Sequence, residues 1–487
     1  MAKSVKKNYV LSLINSGTQL LFPLIAFPYV SRIMAAEGIG QVNFYGSIIQ
    51  YIILFCGLGI PVYGIREVAR VRSDRMALQQ TTIELLTLHS LLTIIGYAIV
   101  GVLCLTVGEI QENIPLFLVI SMSLFFSTIG CEWFYQGIED FEYIMVRGIC
   151  VKTLMLVFLF TLIHTREQIL LYGLYTVLGA LGGNIFNFFR LRKYISLSQI
   201  RWKELSILPH LKAALTVFVF TLITSFYLQF SSVLLGFMRE AEDVGYYTVG
   251  IKIVKMVMMV ASAFGTVMLP RISHLVASQR LDEFRSLSSR AFEFMFFLTL
   301  PMSVGLFFES PFLVHILCGP GFEPAIPVSI ITSFMVFVVG MSNVFGMQIF
   351  YPVGRIGLVN VCTGIGAGIG VVLNVLLIPS LGATGAAIAT LSAEVAVTLS
   401  MLIFGWKIIP FQITWKKVSD YVIASILMAA VLIIIKNWVH QSDVVMAIVL
   451  MLSGVAVYWV SLRILHNGVC REITEEALSY LKRKKNG

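Results

Sequence analysis

Val10–Ile33 reads VLSLINSGTQLLFPLIAFPYVSRI, a run in which Arg32 is the only charged residue. About 20 apolar residues in helical form span the hydrocarbon core of a bilayer. The basic stretch Met1–Lys7 before it resembles the start of a signal peptide, but the apolar run is too long for such a segment and many similar runs follow. It is read as a retained first span. Working outward, comparable runs fall at 41–64, 83–107, 114–136, 143–163, 168–190, 213–237, 244–268, 291–314, 326–350, 356–378, 384–405, 418–436 and 444–465. None alternates strictly between polar and apolar residues, which excludes a β-barrel and leaves helices as the backbone solution in lipid. The expectation is an all-α integral membrane protein of about fourteen transmembrane helices.

Composition agrees. Of the 487 residues, 58% are hydrophobic and 13% charged, against roughly 45–50% and 25% in soluble domains. The net charge of +9 sits in short loops, where it sets topology and touches anionic lipid, so nucleic acid is not expected as a partner. With the N-terminus on the cytoplasmic side, 28 of the 35 Lys and Arg fall on that side and only Arg32, Arg166, Arg239 and Lys436 on the other. This asymmetry predicts a plasma-membrane protein with both termini cytoplasmic. The seven cysteines show no CxxC and no metal-ligand spacing, so no metal, cofactor or disulfide is expected.

Two motif pairs recur at a distance of six spans. Glu37-Gly38-Ile39-Gly40 follows span one and Glu242-Asp243-Val244-Gly245 follows span seven; Phe134-Tyr135-Gln136-Gly137 and Phe350-Tyr351-Pro352-Val353-Gly354 each close a span. An even shift preserves orientation, which predicts parallel repeats. The expected organisation is a first six-helix lobe at 1–190, a basic linker at 191–212, a second six-helix lobe at 213–405, and two added helices with a basic tail at 406–487. Arg201-Trp202-Lys203 in the linker suits an interfacial anchor.

Ionisable groups inside spans cost roughly 3 kcal/mol or more and are functional candidates. Lys252 and Lys255 lie about 12 and 17 Å past Val244 and share a helix face, with Glu394 at similar depth as counter-charge. Lys152, Arg147 and Glu132 lie in spans five and four; Arg32 ends span one and Arg66 follows span two. The functional reading is a cationic cavity between the lobes suited to a phosphate or diphosphate. The competing reading is structural: ion pairs Glu132–Lys152 and Glu394–Lys255, with Arg32, Arg66 and Arg147 anchoring at the interface. Pro23 and Pro28 are candidate kinks in span one. No Walker A, HExxH or GxSxG sequence occurs, and the outer loops are too short for a membrane glycan polymerase or ligase, so an enzyme is not expected.

Lys6-Lys7-Asn8-Tyr9, Phe27-Pro28-Tyr29-Val30-Ser31-Arg32-Ile33, Ile39-Gly40-Gln41-Val42-Asn43-Phe44, Gly57-Leu58-Gly59-Ile60-Pro61, Gly64-Ile65-Arg66-Glu67 and Trp133-Phe134-Tyr135-Gln136-Gly137 resemble the bacterial polysaccharide-biosynthesis flippases that translocate lipid-linked oligosaccharides. Leu381-Gly382-Ala383-Thr384-Gly385-Ala386-Ala387-Ile388-Ala389-Thr390 with Glu394 resembles the wider superfamily that includes multidrug exporters. The resemblance covers essentially the whole chain. It implies a MATE-like fold of two rocking six-helix lobes, an undecaprenyl-diphosphate-linked glycan as cargo, H+ or Na+ coupling in some members, and glycosyltransferases or a glycan polymerase as associated machinery. Peptidoglycan-precursor flippases carry paired arginines deep in span one; here Gln19 and apolar residues stand at that depth, which separates the chain from that branch. A cation-coupled drug exporter of the same fold is the alternative, but span one contains no acid and the deep charges are mainly basic.

Overall fold

The computed structural model describes residues 5–196, 204–408, 414–439 and 441–471; the side chains of 5–20, 219–221, 223–228, 263, 266 and 267 lie outside it. The proposed anchor Arg201-Trp202-Lys203, Gln19 and the basic tail beyond 471 therefore fall outside the described residues. All regular structure among the described residues is helical.

The first compact unit is Met1–Gly245. It contains α1 (Val5–Gly57), α2 (Ile60–Val71), α3 (Arg75–Thr106), α4 (Gly108–Gln111), α5 (Ile114–Ile129), α6 (Glu132–Gly137), α7 (Phe141–Leu162), α8 (Ile169–Leu181), α9 (Gly183–Leu191) and α10 (Ile207–Met238). α11 (Ala241–Ala277) begins in this unit and continues into the second, Tyr246–Gly487. There follow α12 (Leu281–Cys318), α13 (Ala325–Ser333), α14 (Met335–Asn343) with a π-helical turn at Val344–Phe350, α15 (Ile356–Ile408), α16 (Trp415–Trp438) and α17 (Asp443–Ile464). The division falls later than the 191–212 linker because α10 packs on α1, α2 and α3.

Ten helices are long and apolar enough to cross a membrane among the described residues, or eleven if the pair Arg166–Leu181 and Gly183–Leu191, bent by 47°, is one span. The chain is thus a multi-pass membrane protein. The expected fourteen exceeds that number; α10 is a further long helix, and α1 and α15, each 53 residues long, contain internal breaks. A straight helix of that length would be about 80 Å long, far beyond the roughly 30 Å hydrocarbon core. α1 breaks at Ala35 (φ 53°) and α15 at Gly382 (φ 52°). The prolines of α1 do not break it: the backbone keeps helical angles through Pro23 and Pro28 and departs from them only at Ala35.

The helix ends are fixed locally. Asp74 caps α3 by accepting from the amides of Met76 and Ala77, and Asn113 caps α5 by accepting from Leu116. Gly59 (φ 74°) turns the chain from α1 into α2, with Pro61 in the first turn.

The segment of α1 after the break crosses the start of α11 at very close range. A methyl group added to Gly40 would stand 1.7 Å from the Ala241 carbonyl oxygen, and one added to Gly245 would stand 2.0 Å from that of Ala36. The two sequences are Ala36-Glu37-Gly38-Ile39-Gly40 and Ala241-Glu242-Asp243-Val244-Gly245, so the motifs paired by the repeat reading meet reciprocally, alanine to glycine and glycine to alanine. Small residues four apart allow this backbone approach.

Candidate functional site

In the first unit, α5 and α6 form one interrupted helix. The break lies at Gly130-Cys131, with Cys131 at φ 41°. Two asparagines of α9 bond carbonyls beside the break: Asn187 Nδ2 donates to Gly130 at 2.6 Å, and Asn184 Nδ2 donates at 2.9 Å to Phe126, which also accepts the Gly130 amide. Tyr135 Oη donates back to the Asn187 carbonyl at 2.6 Å. Irregular backbone at membrane depth is tolerated when protein groups satisfy it in this way.

Arg147 and Glu132 lie beside this break. Arg147 Nη2 stands 3.6 Å from Glu132 Oε1, its side chain is only 9% exposed, and its Nε and Nη1 have no hydrogen-bond partner among the described residues. Glu132 is therefore paired with Arg147 rather than with Lys152, the partner that the structural alternative supplied. Lys152, halfway along α7 and half-buried, makes no ion pair among the described residues. Arg32 is exposed and bonded to the Pro28 carbonyl. Arg66 is exposed beside the Tyr63 ring, 6.0 Å from its centroid. Among the described residues no hydrogen bond or shared ion-pair partner joins Arg32 and Arg66 to Arg147 and Lys152.

In the second unit, Lys252 and Lys255 lie 11 and 14 residues into the apolar stretch Ala241–Ser262 of α11. At 1.5 Å per residue that places them about 17 and 21 Å along a segment about 33 Å long. Lys252 is half-buried; Lys255 is exposed and makes no ion pair among the described residues. Glu394 on α15 is half-buried and acts on Lys255 electrostatically without an ion-pair contact. The pairing expected from sequence is thus a longer-range interaction that leaves the lysine head open.

Two features were not read from the sequence. Glu309 lies on α12, where it lines a cavity of 430 Å³ formed with α16 and α17. Met302, Gly305, Met428, Met451 and Trp459 make the rest of that lining largely apolar, a surface suited to hydrocarbon. The second is a buried chain of hydrogen bonds: Tyr63 Oη to His210 Nδ1 at 2.9 Å, and His210 Nε2 to Glu84 Oε2 at 2.9 Å. Glu84 also accepts from the Ser206 amide at 2.9 Å, and Gln79 accepts from the Ser196 amide at 3.3 Å. His89, one turn beyond Glu84, is sealed in the core with neither ring nitrogen hydrogen-bonded among the described residues.

Comparison with known proteins supplies the remaining context. A protein from Shigella dysenteriae named as a candidate O-antigen transporter is 24% identical over 400 residues, which is 82% of this chain and 99% of that protein. Among solved structures, a lipid II flippase, MurJ, in an inward closed conformation superposes with a TM-score of 0.74 at 15% identity, covering 95% of this chain and 99% of that one. An inward-facing multidrug resistance MATE family transporter superposes with a TM-score of 0.64 at 13% identity, covering 80% and 94%. The fold is therefore MATE-like, and none of these proteins is named as an enzyme. Residues 4–276, more than half of the chain, match the sequence profile of the polysaccharide biosynthesis proteins, and the chain belongs to that family.

Proposed function

We propose that this chain is a flippase for lipid-linked oligosaccharide in surface polysaccharide biosynthesis. Its cargo on this reading is an undecaprenyl-diphosphate-linked glycan, moved from the cytoplasmic to the outer leaflet by alternating access. Family membership and the Shigella relative support the polysaccharide role. The observation that carries the reading is the mid-span cationic face of α11: Lys252 and Lys255 share it, and Lys255 is exposed without an ion pair among the described residues. An ammonium group kept open at that depth is costly unless an anion visits it, and a diphosphate is such an anion. Lys152, at mid-depth of α7, offers a second cation of the same kind. Arg147, Arg32 and Arg66 have supporting roles, with Glu394 and Glu132 as counter-charges or coupling groups for H+ or Na+. The repeat-based lobes at 1–190 and 213–405 are the moving parts in this proposal.

The charge asymmetry supports a bacterial plasma membrane with both termini cytoplasmic, where glycosyltransferases and a glycan polymerase would deliver and use the cargo. A cation-coupled drug exporter of the same fold would need acids facing its cargo, whereas the open mid-span groups are lysines.

The test is Lys255→Ala, with surface glycan measured beside the amount of folded protein in the membrane. Loss of export at an unchanged protein level is the expected result. Normal export from the variant overturns the assigned site, and drug resistance without any glycan phenotype overturns the cargo.

A further inference from the structure

The second unit carries a pocket that the transport reading does not use. It lies between the last turns of α11 and the first turns of α12 and has a volume of 410 Å³. Arg271, His274, Arg280, Glu283, Ser286 and Arg290 line it. Arg280 is paired with Glu283. Arg271 and Arg290 are exposed and have no acidic partner among the described residues, so the pocket is left with two uncompensated guanidinium groups and an imidazole.

Its depth identifies the ligand class. The apolar runs of these helices end at 268 and begin at 291. Arg271 therefore lies about 4.5 Å past the end of the run read at 244–268 and Arg290 about 1.5 Å before the run at 291–314, by the helical rise. The headgroup layer on each side of a bilayer is roughly 5–7 Å thick, so both guanidinium groups stand at the level of lipid phosphates. Guanidinium groups match phosphate oxygens in two-point hydrogen bonding better than ammonium groups do. We propose that this pocket is a binding site for the phosphate of an anionic lipid headgroup. The phosphate can be that of a bulk phospholipid such as phosphatidylglycerol or that of a polyprenyl diphosphate, and the proposal does not depend on which lipid the protein transports.

The full-length protein in nanodiscs tests this. Arg271→Gln/Arg290→Gln is compared with Arg285→Gln/Arg355→Gln, which removes the same charge from exposed positions outside the pocket. Lipid retention is read by native mass spectrometry and the melting midpoint is recorded in each lipid. The arms are phosphatidylcholine alone, phosphatidylcholine with phosphatidylglycerol, phosphatidylcholine with undecaprenyl diphosphate, and phosphatidylcholine with soluble inorganic diphosphate. Each arginine near an anionic headgroup contributes about 1 kcal/mol, so the pocket variant is expected to retain anionic lipid roughly thirtyfold less well than the parent. In the control pair only Arg355 stands at that level, one residue before the run at 356–378, so this pair is expected to lose about fivefold. A response to one anionic lipid and not the other identifies the source of the phosphate. Equal retention by the two double variants overturns the site, and a full midpoint shift with soluble diphosphate but none with either lipid overturns the headgroup assignment.

Discussion

Replacing Gly40 by alanine probes the crossing of α1 and α11 with a sign that composition alone would not give. The new methyl carbon would lie 1.7 Å from the Ala241 carbonyl oxygen and 2.9 Å from the Gly245 amide nitrogen. Close carbon–oxygen contacts between helices settle at about 3.3 Å, so the backbones must part by roughly 1.6 Å. Because the obstacle is main chain, no rotamer change relieves it, and the reciprocal contact of Gly245 with Ala36 opens with it. Overpacking of this kind costs about 1–3 kcal/mol, and more where the obstacle cannot move. The better helix propensity of alanine returns about 1 kcal/mol. A net loss of about 2 kcal/mol is expected. Gly101→Ala is the control, since nothing lies within 4 Å of the added methyl and the residue is exposed on α3; it should be neutral or slightly stabilising. Thermal unfolding of the purified proteins in one detergent should order them as Gly101→Ala, then the parent, then Gly40→Ala well below. Ala241→Gly should not rescue Gly40→Ala, because the clash is with a carbonyl. A Gly40→Ala protein that melts at or above the parent would refute the close crossing.

Glu84→Ala should destabilise the first unit by about 3 kcal/mol, because it strands His210 in a buried site and removes the acceptor of the Ser206 amide; thermal unfolding checks this, and Tyr63→Phe, which removes only the outer bond, should cost about 1 kcal/mol. Asn187→Ala leaves the Gly130 carbonyl without its donor at the α5–α6 break and should cost about 1–3 kcal/mol in the same assay. Backbone amides of Glu323 itself and of Gly321 hold the Glu323 carboxylate below its ordinary range. A depressed folded value contributes stability above the unfolded pKa that is lost as pH falls through the folded one, so Glu323→Gln should remove a small acid-side decline in melting midpoint by lowering the midpoint slightly at neutral pH while leaving it unchanged at low pH.

The sequence made the spans legible because lipid imposes one simple rule, about twenty apolar residues to a crossing, and α3, α7, α16 and α17 lie close to the runs read for them. It could not locate the break in α1. Pro23 and Pro28 were the visible candidates, yet the helix runs through both and breaks only at Ala35. The break there meets α11, a partner about two hundred residues away. The mid-span lysines of α11 were visible as charges in an apolar run, and their depth followed from helical rise alone. Partnership was not visible: Arg147 and Lys152 are five residues apart, and only the fold decides that Arg147 takes Glu132. His210 and Glu84 are 126 residues apart and joined across a loop, beyond the reach of any local pattern.

The fastening of the chain before α10 has a practical consequence. Ser196 and Ser206 each give a backbone amide to a side chain of α3, and His210 adds a third tie. Severing the polypeptide between those serines would leave Ser196 on one fragment bonded to Gln79 and Ser206 on the other bonded to Glu84, both on α3. Two separately expressed fragments divided there should accordingly find one another and reassemble in the bilayer, which makes this the place to split the gene for complementation or for attaching a reporter.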